Sequence, residues 1–151
     1  MSINWPKMGF KHAPAYMVGA IPYVTSSANN KISTPANPTH VKFPFVTRWI
    51  CIRSTDNAGN LRPLRVGFTE LSVKNNTNCF VIPDQNTPHN PGYGMTDPVL
   101  EVACTDVFIS CDFPGRVTEM SLIAGLTNIP RTEFPNLTGS IGGVPNFEGV
   151  G

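Results

Sequence analysis

The sequence contains three histidines and ten acidic residues that could take part in acid–base or metal chemistry, and their spacing favours neither. The histidines stand in three separate segments, without an Asp or Glu at a helical offset that would complete a metal site: His12, His40 and His89. Four carboxylates could still meet across strands as a hydrolytic pair or, with loop carbonyls, as a calcium site: Glu101, Asp106, Asp112 and Glu119. Because nothing in the spacing argues for either arrangement, we expect no catalytic residues, no cofactor and no metal.

Two other patterns could indicate ligand binding. The glycine-rich stretch 139–143 lacks the Lys-Ser/Thr ending and the following helix of a phosphate-binding loop. Four arginines lie close together in sequence, near Trp49 and Phe68: Arg48, Arg53, Arg62 and Arg65. They alternate with apolar positions, which favours a solvated or subunit-contacting face, and an anionic ligand, a glycan or a nucleic acid is the alternative.

The four cysteines show neither paired C-x-x-C spacing nor nearby histidines: Cys51, Cys79, Cys104 and Cys111. Three of them lie within apolar, strand-like runs. This pattern predicts buried, reduced thiols, with a disulfide or a metal site as the alternative.

The composition is that of a single β-rich domain. Charged residues make up only 14% of the 151 residues, and 13 glycines and 15 prolines supply many turns. The formal net charge of +1 gives no long-range attraction to a polyanion, so direct binding of nucleic acid is not expected. Residues 1–12 lack the apolar core of a signal peptide, and no later run is long enough for a membrane span, so residence in the cytosol is the default expectation.

The strongest structural signal lies in residues 39–53. Five apolar side chains fall on alternate positions, which is the period of a strand with one face in a core: Val41, Phe43, Phe45, Trp49 and Cys51. The other face begins polar but includes Val46, Ile50 and Ile52, so we expect something to cover it, with another subunit as the candidate. Pro44 cannot donate to a strand ladder and predicts an edge position or a bulge.

Further short strands are predicted before and after this one. Residues 16–27 indicate a strand interrupted at Gly19 and Pro22. Alternation in residues 62–73 predicts a hairpin with 39–53, and a short strand follows at 79–82.

The apolar phase changes between Val99 and Phe113, which predicts a bulge or break near Thr105 and Asp106. Beyond the Pro-Gly turn at 114–115, residues 117–126 alternate again. We predict a strand there, although Met, Leu and Ala also favour helix.

These patterns divide the chain into an N-terminal arm (residues 1–15), a folded domain (16–138) and a Gly-rich tail (139–151). The tail is either flexible or an arm that adds to a neighbouring subunit. The candidates for contact between subunits are therefore Trp5, Phe10, Val46, Ile50, Ile52, Ile141, Val144 and Phe147.

Five short motifs together resemble the small single-jelly-roll capsid proteins of large icosahedral double-stranded DNA viruses. They are Pro-Ala-Tyr (14–16), Ile-Pro-Tyr-Val-Thr-Ser-Ser (21–27), Phe-Pro-Phe-Val-Thr-Arg-Trp (43–49), Leu-Arg-Val-Gly-Phe-Thr (64–69) and Leu-Ile-Ala-Gly-Leu-Thr (122–127). The resemblance covers most of residues 14–127. It implies an all-β single jelly-roll β-sandwich of about eight short antiparallel strands.

The resemblance also implies a non-enzymatic role as the penton (vertex) protein or another minor capsid protein. Five copies would close a fivefold position that trimers of the major capsid protein cannot fill. The implied partners in the virion shell are further copies of this chain, neighbouring major capsid protein capsomers and other minor capsid proteins.

A carbohydrate-binding or adhesion β-sandwich of a virion spike is the alternative function. Tyr93, in the loop Pro-Gly-Tyr-Gly-Met (91–95), could present its ring to a sugar, as could Trp5. Turn chemistry explains the same loop without a ligand.

Overall fold

The computed structural model describes residues 21–27, 36–56, 63–82, 99–111, 118–135, 137, 140–141 and 144–145. Its two main sheets consist of β1 (Ile21–Ser27), β2 (Thr39–Lys42), β3 (Phe45–Asp56), β4 (Leu64–Gly67), β5 (Phe80–Ile82), β6 (Val99–Leu100), β7 (Asp106–Cys111) and β8 (Thr118–Pro130). A helix, α1 (Glu70–Lys74), follows β4, and a 3₁₀ turn (Arg131–Glu133) follows β8. Two further strands, β9 (Ser140–Ile141) and β10 (Val144–Pro145), pair only with each other among the described residues.

The pairing of the strands identifies the fold. Sheet I has the order β1-β8-β3-β6 and sheet II the order β2-β7-β4-β5, with every pair antiparallel. The first strand therefore pairs with the eighth, the second with the seventh, the third with the sixth and the fourth with the fifth. This is the result of rolling one long antiparallel hairpin into two sheets, which is the eight-stranded jelly roll. The expected all-β jelly-roll sandwich is confirmed.

Apolar side chains from both sheets enclose one main core. On β8 they are the alternating residues Met120, Leu122, Ala124 and Leu126, which confirms a strand in place of the competing helix. On β7 they are Val107, Ile109 and Cys111. Since β6 ends at Leu100 and β7 begins at Asp106, the predicted break between the two apolar phases is also confirmed.

Residues 39–53 form two strands that belong to different sheets. Val41 and Phe43 enter the core as predicted, and Pro44 separates β2 in sheet II from β3 in sheet I. Beyond it, the register of β3 against β8 shifts between Phe45 and Thr47 and again before Trp49. Such irregularities reverse which alternate positions face inward.

The predicted assignment of the two faces of β3 is consequently wrong. Val46, Ile50 and Ile52 are the buried residues, with exposed fractions of 0%, 0% and 1%. Trp49 and Cys51 lie on the outer face and are half-buried.

The predicted hairpin between 39–53 and 62–73 is also wrong. β3 pairs with β8 and β6, whereas β4 pairs with β7 and β5 in the other sheet. The jelly roll joins strands that are distant in sequence, and local alternation contains no information about such partners.

Helix α1 packs on the outer side of sheet II and was not predicted. Its N-cap is Thr69, whose hydroxyl accepts a hydrogen bond from the amide of Ser72 at 3.2 Å. Gly67 lets the helix approach β4 closely, since a Cβ atom at this position would clash with Ser72 and lie 2.7 Å from Cγ2 of Val73.

Candidate functional site

The carboxylate of Asp106 is the centre of a polar cluster that connects the two sheets. Arg131 donates from Nη2 to both carboxylate oxygens at 2.7 and 2.8 Å, and from Nη1 to the carbonyl of Thr105 at 3.0 Å. Nε2 of His40 lies 2.7 Å from Oδ1, and the Thr105 hydroxyl donates to Oδ2 at 2.8 Å. Because β2 and β7 carry His40 and Asp106 while Arg131 follows β8, the cluster ties sheet II to the end of sheet I.

Electrostatics favour the charged form of this carboxylate. Partial burial raises the pKa of Asp106, but the hydrogen bonds from Arg131, His40 and Thr105 outweigh burial and hold the pKa below its ordinary value. Nη2 of Arg131 alone contacts both carboxylate oxygens while Nη1 is held by the Thr105 carbonyl, and hydrogen bonds between ionised groups are stronger than those between neutral ones.

The arrangement suits a structural tie better than an acid–base catalyst. Both oxygens of Asp106 are already bound by Arg131, and within the described part of the chain no hydroxyl or thiol forms a hydrogen bond to His40. Glu101 is exposed beyond β6 and does not join Asp106. The side chains of Asp112 and Glu119 lie outside the described residues.

We expect Asp106→Asn to lower the free energy of unfolding at pH 7 by about 1–3 kcal/mol, because Arg131 loses its charged partner. The contribution of the carboxylate is present above its unfolded pKa, which is about 3.9, and is lost as the pH falls through the lower folded pKa. Urea titrations between neutral and strongly acidic pH should therefore show the stabilities of the wild type and the variant converging in acid. A difference that stays constant over this range would contradict the role assigned to Asp106.

The cysteines fall into two classes. Cys104 and Cys111 are buried, as predicted, whereas Cys51 and Cys79 are half-buried, and all four are unbridged. Burial raises the pKa of the Cys104 thiol to about 11, against the lowering effect of its hydrogen bond with Thr47. Cys104 is therefore a protonated core side chain at neutral pH.

The described members of this group of arginines are divided between the two sheets. Arg48 and Arg53 are exposed on β3 in sheet I, while Arg65 lies on β4 in sheet II. Arg62 lies outside the described residues. Their separation follows from the absence of the predicted hairpin.

A row of four side chains crosses the outer face of sheet I in register. Val24 on β1 pairs with Ile123 on β8, Ile123 with Cys51 on β3, and Cys51 with Val99 on β6. The exposed fractions are 68% for Val24, 42% for Ile123 and 58% for Val99. We call these four residues the apolar row.

Charged side chains lie on opposite sides of the apolar row. Arg53 lies two residues after Cys51 on β3, and Glu101 lies two residues after Val99, past the end of β6. Because β3 and β6 are antiparallel, these two steps along the chain lead in opposite directions. Both are exposed. Trp49 lies on the same side of the row as Glu101 and extends the apolar surface.

A groove of about 710 Å³ lies on the outer side of sheet II, between α1 and the segment after β8. Its floor includes the ring of His40 stacked on Phe108, with centroids 4.1 Å apart. Leu71, which is 59% exposed, and Phe134 provide apolar walls. Lys42 on β2 and Glu70 at the start of α1 also line it, and we call this surface the α1 groove.

The structure changes the set of candidate contacts between subunits. Val46, Ile50 and Ile52 lie in the cores of their own chain, so the expectation that a neighbouring subunit covers them is wrong. Ile141 and Val144 are register partners in the β9–β10 hairpin. Trp5, Phe10 and Phe147, like Tyr93, lie outside the described residues. The apolar row and the α1 groove are surfaces that the sequence did not reveal.

No family model, curated protein or solved structure matches this chain. Within the described residues, no group of three or more His, Cys, Asp or Glu side chains could hold a metal ion. The same part of the chain contains no helix with the length and apolarity needed to cross a bilayer. The surfaces and the fold are therefore the observations on which a function can be based.

Proposed function

We propose that this protein is a structural subunit of a viral capsid, as the penton protein that forms a pentamer at icosahedral vertices. The observation that carries the proposal is the jelly-roll pairing of its strands, an architecture found in viral capsid domains and also in lectins and cupins. The fold is shared by several functions, so it supports a capsid role only together with the surfaces.

The surfaces favour assembly with other subunits. Large apolar side chains are exposed on the outer face of sheet I and, separately, on the side of the molecule formed by sheet II and α1. A cyclic ring needs two different surfaces on each copy, because every junction in it is heterologous. An enzyme or a lectin would need a pocket for its ligand but would not need apolar side chains on two separate outer surfaces.

The ring can be tested in solution and in the particle. Light scattering on the purified chain is expected to give the mass of five copies, and imaging of virions is expected to place its density at the fivefold vertices. Density at another shell position would replace the penton role with that of another minor capsid protein. Absence from the shell would overturn the proposal, and specific binding in a glycan screen would then favour a spike module.

A further inference from the structure

We propose that residues 131–135, which follow β8, form a strap that is latched to sheet II and opens in acid while the two sheets stay folded. The latch is the polar cluster in which Arg131, from the strap, binds Asp106 on β7. The inference goes beyond the proposed function and does not depend on it, because it concerns a movement within one chain.

Arg131 fastens the strap through both its backbone and its side chain. Its amide donates to the carbonyl of Pro44 at 3.2 Å, and its Nη1 donates to the carbonyl of Thr105 at 3.0 Å. Its Nη2 donates to both carboxylate oxygens of Asp106 at 2.7 and 2.8 Å. Among these acceptors the carboxylate is the charged one, and hydrogen bonds between ionised groups are the strongest type. Loss of its charge therefore weakens this fastening most.

The strap packs on a small core of its own. Phe134 contacts Val46 and Ile129, which form a cluster separate from the main core between the sheets. Among the described residues, those of the main core end at Leu126, before the strap begins. Lifting the strap therefore leaves the main core covered. A segment that exposes little apolar surface when it opens can do so at a lower free energy than unfolding of the whole domain.

The α1 groove lies behind the strap. Thr132 and Pro135 of the strap line it together with Glu70 and Leu71 of α1. Its volume of about 710 Å³ is large enough for many water molecules, since each occupies about 30 Å³ in the liquid. Solvent therefore reaches the inner side of the strap at these residues, and opening does not require a dry interface to separate there.

Asp106 is the anion that holds several basic groups together. Arg131 from the strap and His40 from β2 bind it, and Lys42, its register partner on β2, lies on the same face of sheet II. A carboxylate can only accept, so Nε2 of His40 is the donor whether the ring is neutral or charged. Titration of His40 therefore does not break the latch. Neutralising Asp106 leaves the three basic side chains facing one another without an anion between them.

The other titratable groups near Asp106 do not replace it. The thiol of Cys104 is protonated at neutral pH and below, because burial raises its pKa to about 11. Glu70, on the α1 groove, is paired with Lys74 at 2.6 Å, and Glu133 is exposed on the strap. The pKa of Asp106 lies below its ordinary value because its hydrogen-bond partners outweigh burial. The latch therefore holds above this pKa and opens as the pH falls through it.

Opening of the strap also affects the elements that follow it. β9 and β10 come after the strap in the chain, so they lose this fastening to sheet II when it opens. The residues from 131 onward then form an arm. Arms of this kind can pair with the sheet edge of another molecule.

Hydrogen exchange of two strap amides tests the latch. The amide of Arg131 and the amide of Phe134, which donates to the carbonyl of Arg131, report whether the strap is closed. Asp106→Asn is expected to raise their exchange rates at pH 7 about 10- to 100-fold, while the amides of β7 and β8 stay protected. Glu133→Gln is the matched control, because it removes a strap carboxylate outside the latch and should leave both rates unchanged.

A pH series and a second variant complete the experiment. In the wild type, the two strap amides are expected to lose protection, corrected for the intrinsic exchange rate, at a higher pH than the amides of β7 and β8. In Asp106→Asn this step should be absent. Arg131→Met removes the latch from the other side, and the double variant should open the strap no further than either single variant does.

The results that would overturn the inference are specific. If the strap and the two sheets lose protection together, in acid or in Asp106→Asn, the strap does not open as a separate unit. If either latch variant protects the strap amides as well as the wild type does, Asp106 and Arg131 do not form the latch. Neither result bears on the capsid role, which the mass in solution and the position in the particle test separately.

Discussion

Replacing Ile50 with Ala is expected to lower the free energy of unfolding by about 2–5 kcal/mol, the range for deleting a fully buried aliphatic side chain. Ile50 has no exposed surface and lies in the main core between the sheets. A domain of this kind has a total stability of about 5–15 kcal/mol, so the loss is a large part of it. Urea unfolding followed by tryptophan fluorescence would measure the change.

The matched control is Ile123→Ala, one position away across the β3–β8 ladder on the outer face. Ile123 is 42% exposed and pairs with Cys51, the residue after Ile50. We expect this variant to lose less than about 1 kcal/mol, since part of the side chain already contacts water. Equal losses for the two variants would show that the faces of β3 have been assigned wrongly.

Thr47→Val is expected to lower the free energy of unfolding by about 2–4 kcal/mol although it preserves the shape of the side chain. The Thr47 hydroxyl donates to the carbonyl of Val102 at 2.7 Å and accepts from the amide of Cys104 at 3.0 Å. Valine leaves the buried amide of Cys104 and the part-buried carbonyl of Val102 without this partner, and an unsatisfied buried group costs about 1–3 kcal/mol. Chemical denaturation of the purified variant would measure the loss.

Thr47→Ser provides the control for this prediction, because serine keeps the hydroxyl and removes only the methyl group. We expect its stability to lie nearer to that of the wild type than to that of Thr47→Val. If serine and valine were equally destabilising, packing of the methyl group would be the cause in place of the hydrogen bonds.

The sequence predicted the fold class and several strands well. The alternation of apolar residues in 120–126 was sufficient to predict β8. The change in the phase of the apolar positions before Val107 predicted the gap between β6 and β7. The two-residue alternation of apolar side chains predicts these strands reliably because one face of each strand contacts the core for its whole length.

The same rule failed on β3, where it assigned Trp49 and Cys51 to the core. Register irregularities near Thr47 shift the period, and apolar residues on both faces conceal the shift. The polar cluster was missed for a different reason: His40, Asp106 and Arg131 are far apart in sequence, and only the pairing of β2 with β7 and the path of the chain beyond β8 bring them together.

The sequence by itself determined that this chain is a β-rich domain with short strands and little charge, because composition and alternation act through local backbone preference and burial. Only the tertiary structure decided which face of β3 is inside, which strands are neighbours, and that Val24, Ile123, Cys51 and Val99 form one row. Those properties depend on pairings between residues that are distant along the chain. The physical reason is that a strand's period defines two faces, and the partners it meets decide which face lies in the core.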